Sequence, residues 1–485
     1  MFLGLDLGTT NVKAVLADAD GRAVGRGSAQ VRLLHGEGGV VEQDIEEIFT
    51  ATLSAIMAAG AGAELSRVRA IGVSSQGGSL QMLDGRGRPV GRTISWLDRR
   101  GGPYDDAVTR EITPQELARR TGHPRACMAM GQLLRLRAEH PELLAPPNRV
   151  GFVGDVIVER LCGRRAHDGT SLSCAVLFDP SGRMVDKGLL ERVGIDEEQL
   201  PVLISPRAPA GLLREDVAKR TGLPAAIPVT PAVHDQYASA LGAGAVAAGD
   251  VMFGAGTAWV LLAVSDHLTA PIAGVGFSCT HLVEGLYGQI ISMTNGGSAV
   301  AWVLKALRLD GRTAGEIDTL LASAGAGSDG LRCLPFLAGG GAGLATEAAG
   351  RLVGLRLSHT PAHLLRAVVE GLVMELRRYL RMCVDAGVSV DRLAMCGGAA
   401  AGSVTPQIVA DATGLPVACA AETDTAALGA AMLARGLLEP TASPADIVEE
   451  MSPAARSFEP GPYGPLYERM FLEYVASLPV ERKPS

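Results

Sequence analysis

The sequence predicts an α/β protein built from two copies of one architecture with a cleft between them, and three observations carry that expectation. Short apolar runs alternate with helical patterns, the arrangement of sheets covered by helices. A Gly/Thr hairpin occurs twice, at Gly8-Thr9-Thr10-Asn11 and at Gly254-Ala255-Gly256-Thr257. Each half then leaves through a segment of small residues around Leu-Gly, Tyr237–Ala245 and Thr425–Met432, as a helix pressed closely on another surface requires.

Taken in order, Phe2–Leu5 is a first strand, ended by Asp6 and Gly8, and Val12–Ala17 is a second. The turn Asp18–Gly21 leads into a third, from Arg22 to about Leu34. Asp44–Ala59 spaces Ile45, Ile48, Phe49, Leu53, Ile56 and Met57 as one face of a helix, with Asp44 as its N-cap. Val68–Val73 is a buried strand that runs into Ser74-Ser75-Gln76-Gly77-Gly78. In the second half, Val251–Phe253 and Ala258–Val264 flank the second hairpin. A long helix over Ala362–Ala386 and a strand at Arg392–Met395 end in Cys396-Gly397-Gly398-Ala399. The copies begin near Met1 and Ala247, so the expected domains are 1–246 and 247–485, hinged at Gly244–Asp250. Ile94–Pro228 is irregular, with a helix at Leu212–Thr221, and reads as insertions on the first domain.

Composition narrows the function. At 485 residues, 47% hydrophobic and 20% charged, the chain has the balance of a soluble globular protein. Its net charge of −8 and lack of a dense basic run exclude a nucleic-acid partner. Arg377, Arg378 and Arg381 share a helix and read as its solvated face. Cys127, Cys162, Cys174, Cys279, Cys333, Cys383, Cys396 and Cys419 are scattered, with no C-x-x-C pair, which points to reduced thiols and the cytoplasm. The N-terminus lacks a basic n-region, and no apolar run approaches the ~18 residues of a membrane span.

Several chemistries are absent. There is no G-x-x-x-x-G-K-[ST] and no G-x-S-x-G. The G-x-G-x-x-G at Gly325, Gly327 and Gly330 follows a polar helix end rather than a strand. His359 and His363 are four apart, but Pro361 lies between them and no third ligand is near, so a helix start at Thr360-Pro361 is the better reading. The paired hairpins remain. Backbone N–H groups and hydroxyls in such loops can meet an anion, and two of them across a cleft could grip a polyphosphate. Asp6 ends a buried strand beside the first loop, where a carboxylate can serve Mg²⁺ or cap its own turn. Asp235 sits just before the helical Gln236–Ala243, as a base or as an ordinary helix cap.

Across almost its whole length the sequence resembles the FGGY carbohydrate kinases, which have two ribonuclease-H-like domains of the actin-like ATPase type. The segments that carry the resemblance are Asp6–Leu16 (DLGTTNVKAVL), Val41–Asp44 (VEQD), Ser95–Arg100 (SWLDRR), Arg220–Val246, Phe253–Leu261 (FGAGTAWVL), Cys396–Val417 and Glu422–Ala434. The resemblance implies Asp235 as general base and ATP as phosphoryl donor, with Mg²⁺ at Asp6. It implies Gly8, Thr9, Thr10, Asn11, Gly256 and Thr257 around the phosphates, and Gly297, Gly397, Gly398 and Ala399 around adenosine. Substrate contacts fall on Gln76, Gly77, Gly78, Trp96, Asp98, His234, Asp235 and Gln236. The implied reaction is phosphorylation of a small sugar, most like that of a xylulokinase, with another ketose, a polyol or an aldonate as alternatives and a non-catalytic sugar-binding regulator as a further one. The assembly is left open between monomer and homodimer.

The sugar-reading positions depart from the family pattern. Gln76-Gly77-Gly78 stands where xylulokinases have Gln-Met-His and glycerol kinases Gln-Arg-Glu, so the glycines either enlarge the pocket or leave the sugar to other groups. His234-Asp235-Gln236 replaces the commoner Gly-Asp-Asn, and Gln132-Leu133-Leu134-Arg135 the Lys-Leu-x-Trp element.

Overall fold

The computed structural model describes residues 1–452 and 455–479. Strands β1 (Phe2–Leu7), β2 (Asn11–Ala17) and β3 (Ala23–Gln30) form an antiparallel meander. The third strand is shorter than its expected span, because the chain leaves it for the short strands Leu34–His35 and Val41–Gln43 of another sheet. Helix α1 (Ile45–Ala59) starts where Asp44 accepts hydrogen bonds from the Glu46 and Glu47 amides. Strand β4 (Ile71–Ser75) lies parallel to β1 and sits further along than the expected Val68–Val73, since Ser74 and Ser75 continue the ladder with Asp6 and Leu7. Strand β5 (Pro228–His234) pairs parallel with β4 and leads directly into helix α2 (Asp235–Ala243).

The second half repeats this plan. Strands β6 (Asp250–Ala255), β7 (Trp259–Ser265), β8 (Phe277–Thr280) and β9 (Tyr287–Met293) precede helices α3 (Gly297–Ala306) and α4 (Pro361–Asp385). Strand β10 (Arg392–Cys396) then pairs parallel with β6, and α5 (Thr425–Gly436) closes the half. The order β4-β1-β2-β3 in the first sheet has its counterpart in β10-β6-β7-β9. In both halves, a parallel strand flanks the first strand of the hairpin.

The exit helices hold the halves together. A Cβ on Gly72 would fall 1.8 Å from Ala430 O, and one on Gly429 would fall 1.9 Å from Ala238 O. Glycine therefore lets α5 seat directly on β4 and on α2. Two ion pairs join the same regions, Lys13 Nζ to Asp424 Oδ1 at 2.7 Å and Arg26 to Glu422 at 2.6 Å.

The irregular stretch of the first half folds into short helices and short strands, and its Arg149–Phe152 completes a five-stranded sheet in the order Leu34–His35, Val41–Gln43, Pro89–Ile94, Leu80–Leu83, Arg149–Phe152. The helix expected at Leu212–Thr221 begins only at Glu215, because Gly211–Leu212 pairs with β5. This stretch also reaches the second half, where Ser278 N of edge strand β8 donates to Gly122 O at 2.9 Å.

Helix α4 corrects one expectation. Arg378 is buried, not solvated, and its guanidinium donates to Glu375 Oε2 and to Ala342 O, each at 2.8 Å. Most of this helix is buried, so a cation inside it needs a partner. Among the described residues no helix is long and apolar enough to cross a membrane.

Candidate active site

Asp6 reaches the end of β1 and accepts a hydrogen bond from Ser74 Oγ at 3.3 Å. Burial pushes its pKa up to about 7, the nearby Asp235 carboxylate adds to the rise, and Lys13 opposes it. Two carboxylates held near one another without a shared cation raise each other's cost of ionisation. Beyond Asp6 the hairpin turns through Gly8, Thr9 and Thr10, with Asn11 starting β2. Asn11 Nδ2 donates to Thr10 Oγ1 at 3.2 Å.

Asp235 is the first residue of α2, not its cap. His234 is the cap, its Nδ1 accepting from the Gln236 amide at 3.3 Å. That bond leaves the ring proton of neutral His234 on Nε2. Burial drives the His234 pKa down to about 4, so the ring is neutral at ordinary pH. Burial lifts Asp235 to about 6, while the Gln236 amide side chain, donating to Asp235 Oδ1 at 3.2 Å, favours the anion. The backbone beneath is pinned from outside the motif. His234 N donates to Thr170 Oγ1 at 3.0 Å, and that hydroxyl donates to Asp168 Oδ1 at 2.7 Å. Neither Asp168 nor Thr170 was expected at the site. Their only sequence signal is an Asp-Gly-Thr turn that looks like an ordinary helix start, and Asp168 does cap Gly169–Ser173.

Gly77 and Gly78 do not open empty space. A Cβ on Gly77 would lie 2.4 Å from both His234 Cδ2 and Cys174 Sγ, and 2.6 Å from His234 Nε2. Gly78 has φ +76°, and a Cβ there would lie 3.0 Å from Met128. The His234 ring therefore fills the position that a side chain at 77 would occupy. Gln76 and Trp96 meet the first hairpin: Trp96 Nε1 donates to Thr9 Oγ1 at 2.9 Å, and that hydroxyl donates to Gln76 Oε1 at 3.2 Å. Asp98 stands apart from these groups. Its side chain has 0% exposure, and it accepts from Val41 N, Arg100 and Gln132 Nε2. With those lone pairs occupied it has no capacity left for a ligand, so the expected substrate contact is corrected to a brace for the Trp96 turn.

In the second half, a cavity of about 410 Å³ is lined by Gly256, Thr257, Gly297, Gly398 and Ala399, with Val300 and Leu304 as apolar wall. Gly397 backs it, because a Cβ there would lie 2.9 Å from Ala255 C. Gly297 packs on the hairpin in the same way, since a Cβ there would fall 2.2 Å from Gly256 O. It opens the ten-residue α3, whose N-terminal amides favour negative charge. Elsewhere, Gly327 N donates to Glu370 at 2.9 Å, so the G-x-G-x-x-G loop is tied into the core. His363 joins Thr360 in capping α4, and among the described residues no group of three His, Cys, Asp or Glu is arranged to hold a metal.

Two ribonuclease-H-like domains, each carrying a Gly/Thr hairpin, are the fold of sugar kinases of the actin-like ATPase type. The chain belongs to the FGGY family of carbohydrate kinases: the family's N-terminal domain matches residues 1–242 and its C-terminal domain residues 251–435. It is 30% identical to a glycerol kinase of Symbiobacterium thermophilum over 458 residues, covering 89% of this chain and 88% of the relative. It is 26% identical to the xylulose kinase of Escherichia coli, covering 93% of each chain. The crystal structure of xylulose kinase from Rhodospirillum rubrum superimposes with a TM-score of 0.86 at 26% identity, covering 98% of this chain and 97% of that one.

Proposed function

We propose that the chain transfers the γ-phosphoryl group of ATP to a hydroxyl of a ketose, most like a ketopentose such as D-xylulose. The observation that carries this reading is Asp235 at the start of α2, desolvated to a pKa of about 6 beside a neutral His234. A carboxylate so tuned is ionised at neutral pH and still basic enough to take a hydroxyl proton. In the reaction the sugar O–H gives its proton to Asp235. The oxygen bonds to the γ-phosphorus, the bond from that phosphorus to the bridging oxygen breaks, and ADP leaves.

Residues 1–246 form the sugar-binding domain in this reading and 247–485 the adenosine-binding one. Gly8, Thr9, Thr10, Asn11, Gly256 and Thr257 meet the phosphates. Gly297, Gly397, Gly398 and Ala399 meet the nucleoside, in keeping with the cavity they line or back. Asp6 suits Mg²⁺, being a hard oxygen donor that burial pushes up to about 7, with Asp235 beside it adding to the rise, so that a bound cation would offset the cost of its charge. Bound there, Mg²⁺ would supply neutralisation of the phosphate charge. Trp96, His234 and Gln236 contact the sugar, with Gly77 and Gly78 as backbone and the buried Gln76 supporting them through Thr9 and Ser79. His234 offers Nε2–H to a hydroxyl or carbonyl oxygen. The protein acts in the cytoplasm in this reading, without a nucleic-acid or membrane partner. Another ketose, a polyol or an aldonate is the second reading, favoured by His234 in place of the family's commoner pocket wall.

A coupled ADP-release screen over pentuloses, hexuloses, polyols and aldonates tests this. At least one acceptor should raise ADP release well above the rate with water alone. No stimulation by any member of these classes would refute the kinase reading.

A further inference from the structure

We propose that Gln43 is a positioning residue that locks the first Gly/Thr hairpin to the sugar-contact residues and so couples the two substrate sites. The proposal rests on the kinase reading above. Gln43 ends the strand Val41–Gln43 and is fully buried. Its Nε2 donates to Thr9 O at 2.9 Å, and its Oε1 accepts from Gln76 Nε2 at 3.1 Å. Gln76 Oε1 in turn accepts from Thr9 Oγ1 at 3.2 Å and from Ser79 Oγ at 3.1 Å. Trp96 closes the network, with its Nε1 on Thr9 Oγ1 at 2.9 Å and its backbone N on Ser79 Oγ at 3.1 Å.

Gln43, Gln76 and Thr9 thus form a closed ring of hydrogen bonds. Its direction is fixed. Reversing either amide would set oxygen against oxygen or nitrogen against nitrogen, so a single arrangement satisfies every member. Thr9 is held at two points, its carbonyl by Gln43 and its hydroxyl by Gln76 and Trp96. Gln43 and Gln76 are buried, whereas Trp96 is 43% exposed and open to a ligand. A sugar that settles on Trp96 acts on Thr9 Oγ1 through one hydrogen bond. With the Thr9 carbonyl anchored by Gln43, that contact sets the hairpin's position instead of being absorbed by its drift. Gln43 needs both a donor and an acceptor to do this. Glutamate lacks the donor, and methionine, of similar length, lacks both.

The test compares Gln43→Met and Gln43→Glu with wild type and with Trp96→Phe. Three quantities are measured: the affinity for ADP by calorimetry without acceptor, kcat and KM for ATP with the best acceptor, and the ratio of acceptor-stimulated to water-driven ADP release. Gln43→Glu loses the bond to Thr9 and Gln43→Met both bonds, and each should weaken ADP binding about tenfold and cut the stimulation ratio by about 10–100-fold. In ADP affinity, measured without acceptor, Gln43→Met combined with Trp96→Phe should lose little more than either alone, because there both act through Thr9. A Gln43→Met protein that melts lower yet keeps wild-type ADP affinity, kcat, KM and stimulation ratio would overturn the proposal, as would additive losses of ADP affinity in the double variant. If Gln43→Met does not fold, Gln43→Glu carries the same comparison. If no acceptor stimulates wild type, the kinase reading fails while ADP affinity still decides whether Gln43 holds the hairpin.

Discussion

Asp235→Asn should cut acceptor phosphorylation severely while making the protein more stable at alkaline pH. Loss of a positioned general base typically lowers kcat by ~10²–10⁴-fold, and Asn keeps the shape while removing the basicity. Gln236 and His234 remain in place, and the cavity of the second half is untouched, so ADP affinity should stay near wild type. The stability effect has a definite sign. The folded pKa of Asp235 is raised to about 6, so the folded state favours the protonated acid. Its stabilising share is full below about pH 4 and is lost as pH rises through about 6. Asn imitates the protonated form, so the variant should gain on the order of 2–3 kcal/mol at about pH 8 and nothing at about pH 4. Thermal melts at the two pH values check it. An Asp235→Asn protein that melts lower at about pH 8 would mean that the anion is stabilised in the site.

Gly77→Met should be nearly as damaging to the reaction, for a steric reason. The new Cβ would overlap His234 and Cys174, and the rest of the side chain has nowhere to go while the imidazole stays. Displacing His234 breaks its cap on the Gln236 amide and moves the start of α2, and with it Asp235. A misplacement of about 1 Å at a reacting group can cost ~10²-fold, and kcat/KM should fall by at least that much. Adding His234→Gly removes the overlap with the imidazole and leaves only that with Cys174 Sγ. The double variant should melt above Gly77→Met alone and regain part of the activity, with a changed acceptor preference. Melting curves and kcat/KM across the acceptor panel check both. If Gly77→Met keeps wild-type activity, the His234 ring does not occupy the position assigned to it.

The duplicated architecture is legible in the sequence because strands and helices are local patterns. The Gly/Thr hairpins, the Asp44 cap and the small-residue helices α2 and α5 each declare themselves within a few residues. What is not legible depends on partners far apart in the chain. Asp98 looks like a pocket carboxylate until Val41 and Gln132, 57 and 34 residues away, are found on its oxygens. Gly77 and Gly78 look like vacated space because nothing local says that His234 from another strand fills it. Gln43 belongs to a motif, VEQD, whose visible role is to precede a helix, and its ring with Thr9 and Gln76 exists only once three elements meet. Arg378 has the spacing of a surface residue, and only the packing over α4 buries it.

The account turns on Asp235 as the proton acceptor, and the pH dependence of kcat/KM, which reports the groups of the unliganded enzyme, tests that most directly. The base must be ionised to work, so the wild-type kcat/KM should be full well above pH 6 and fall about tenfold per pH unit below a pKa near 6. His234, already neutral above about 4, adds no limb in that range. The residual kcat/KM of Asp235→Asn should be flat across it. A wild-type kcat/KM that holds level down to about pH 5, or an Asp235→Asn profile that keeps the same acid limb, would contradict the assignment.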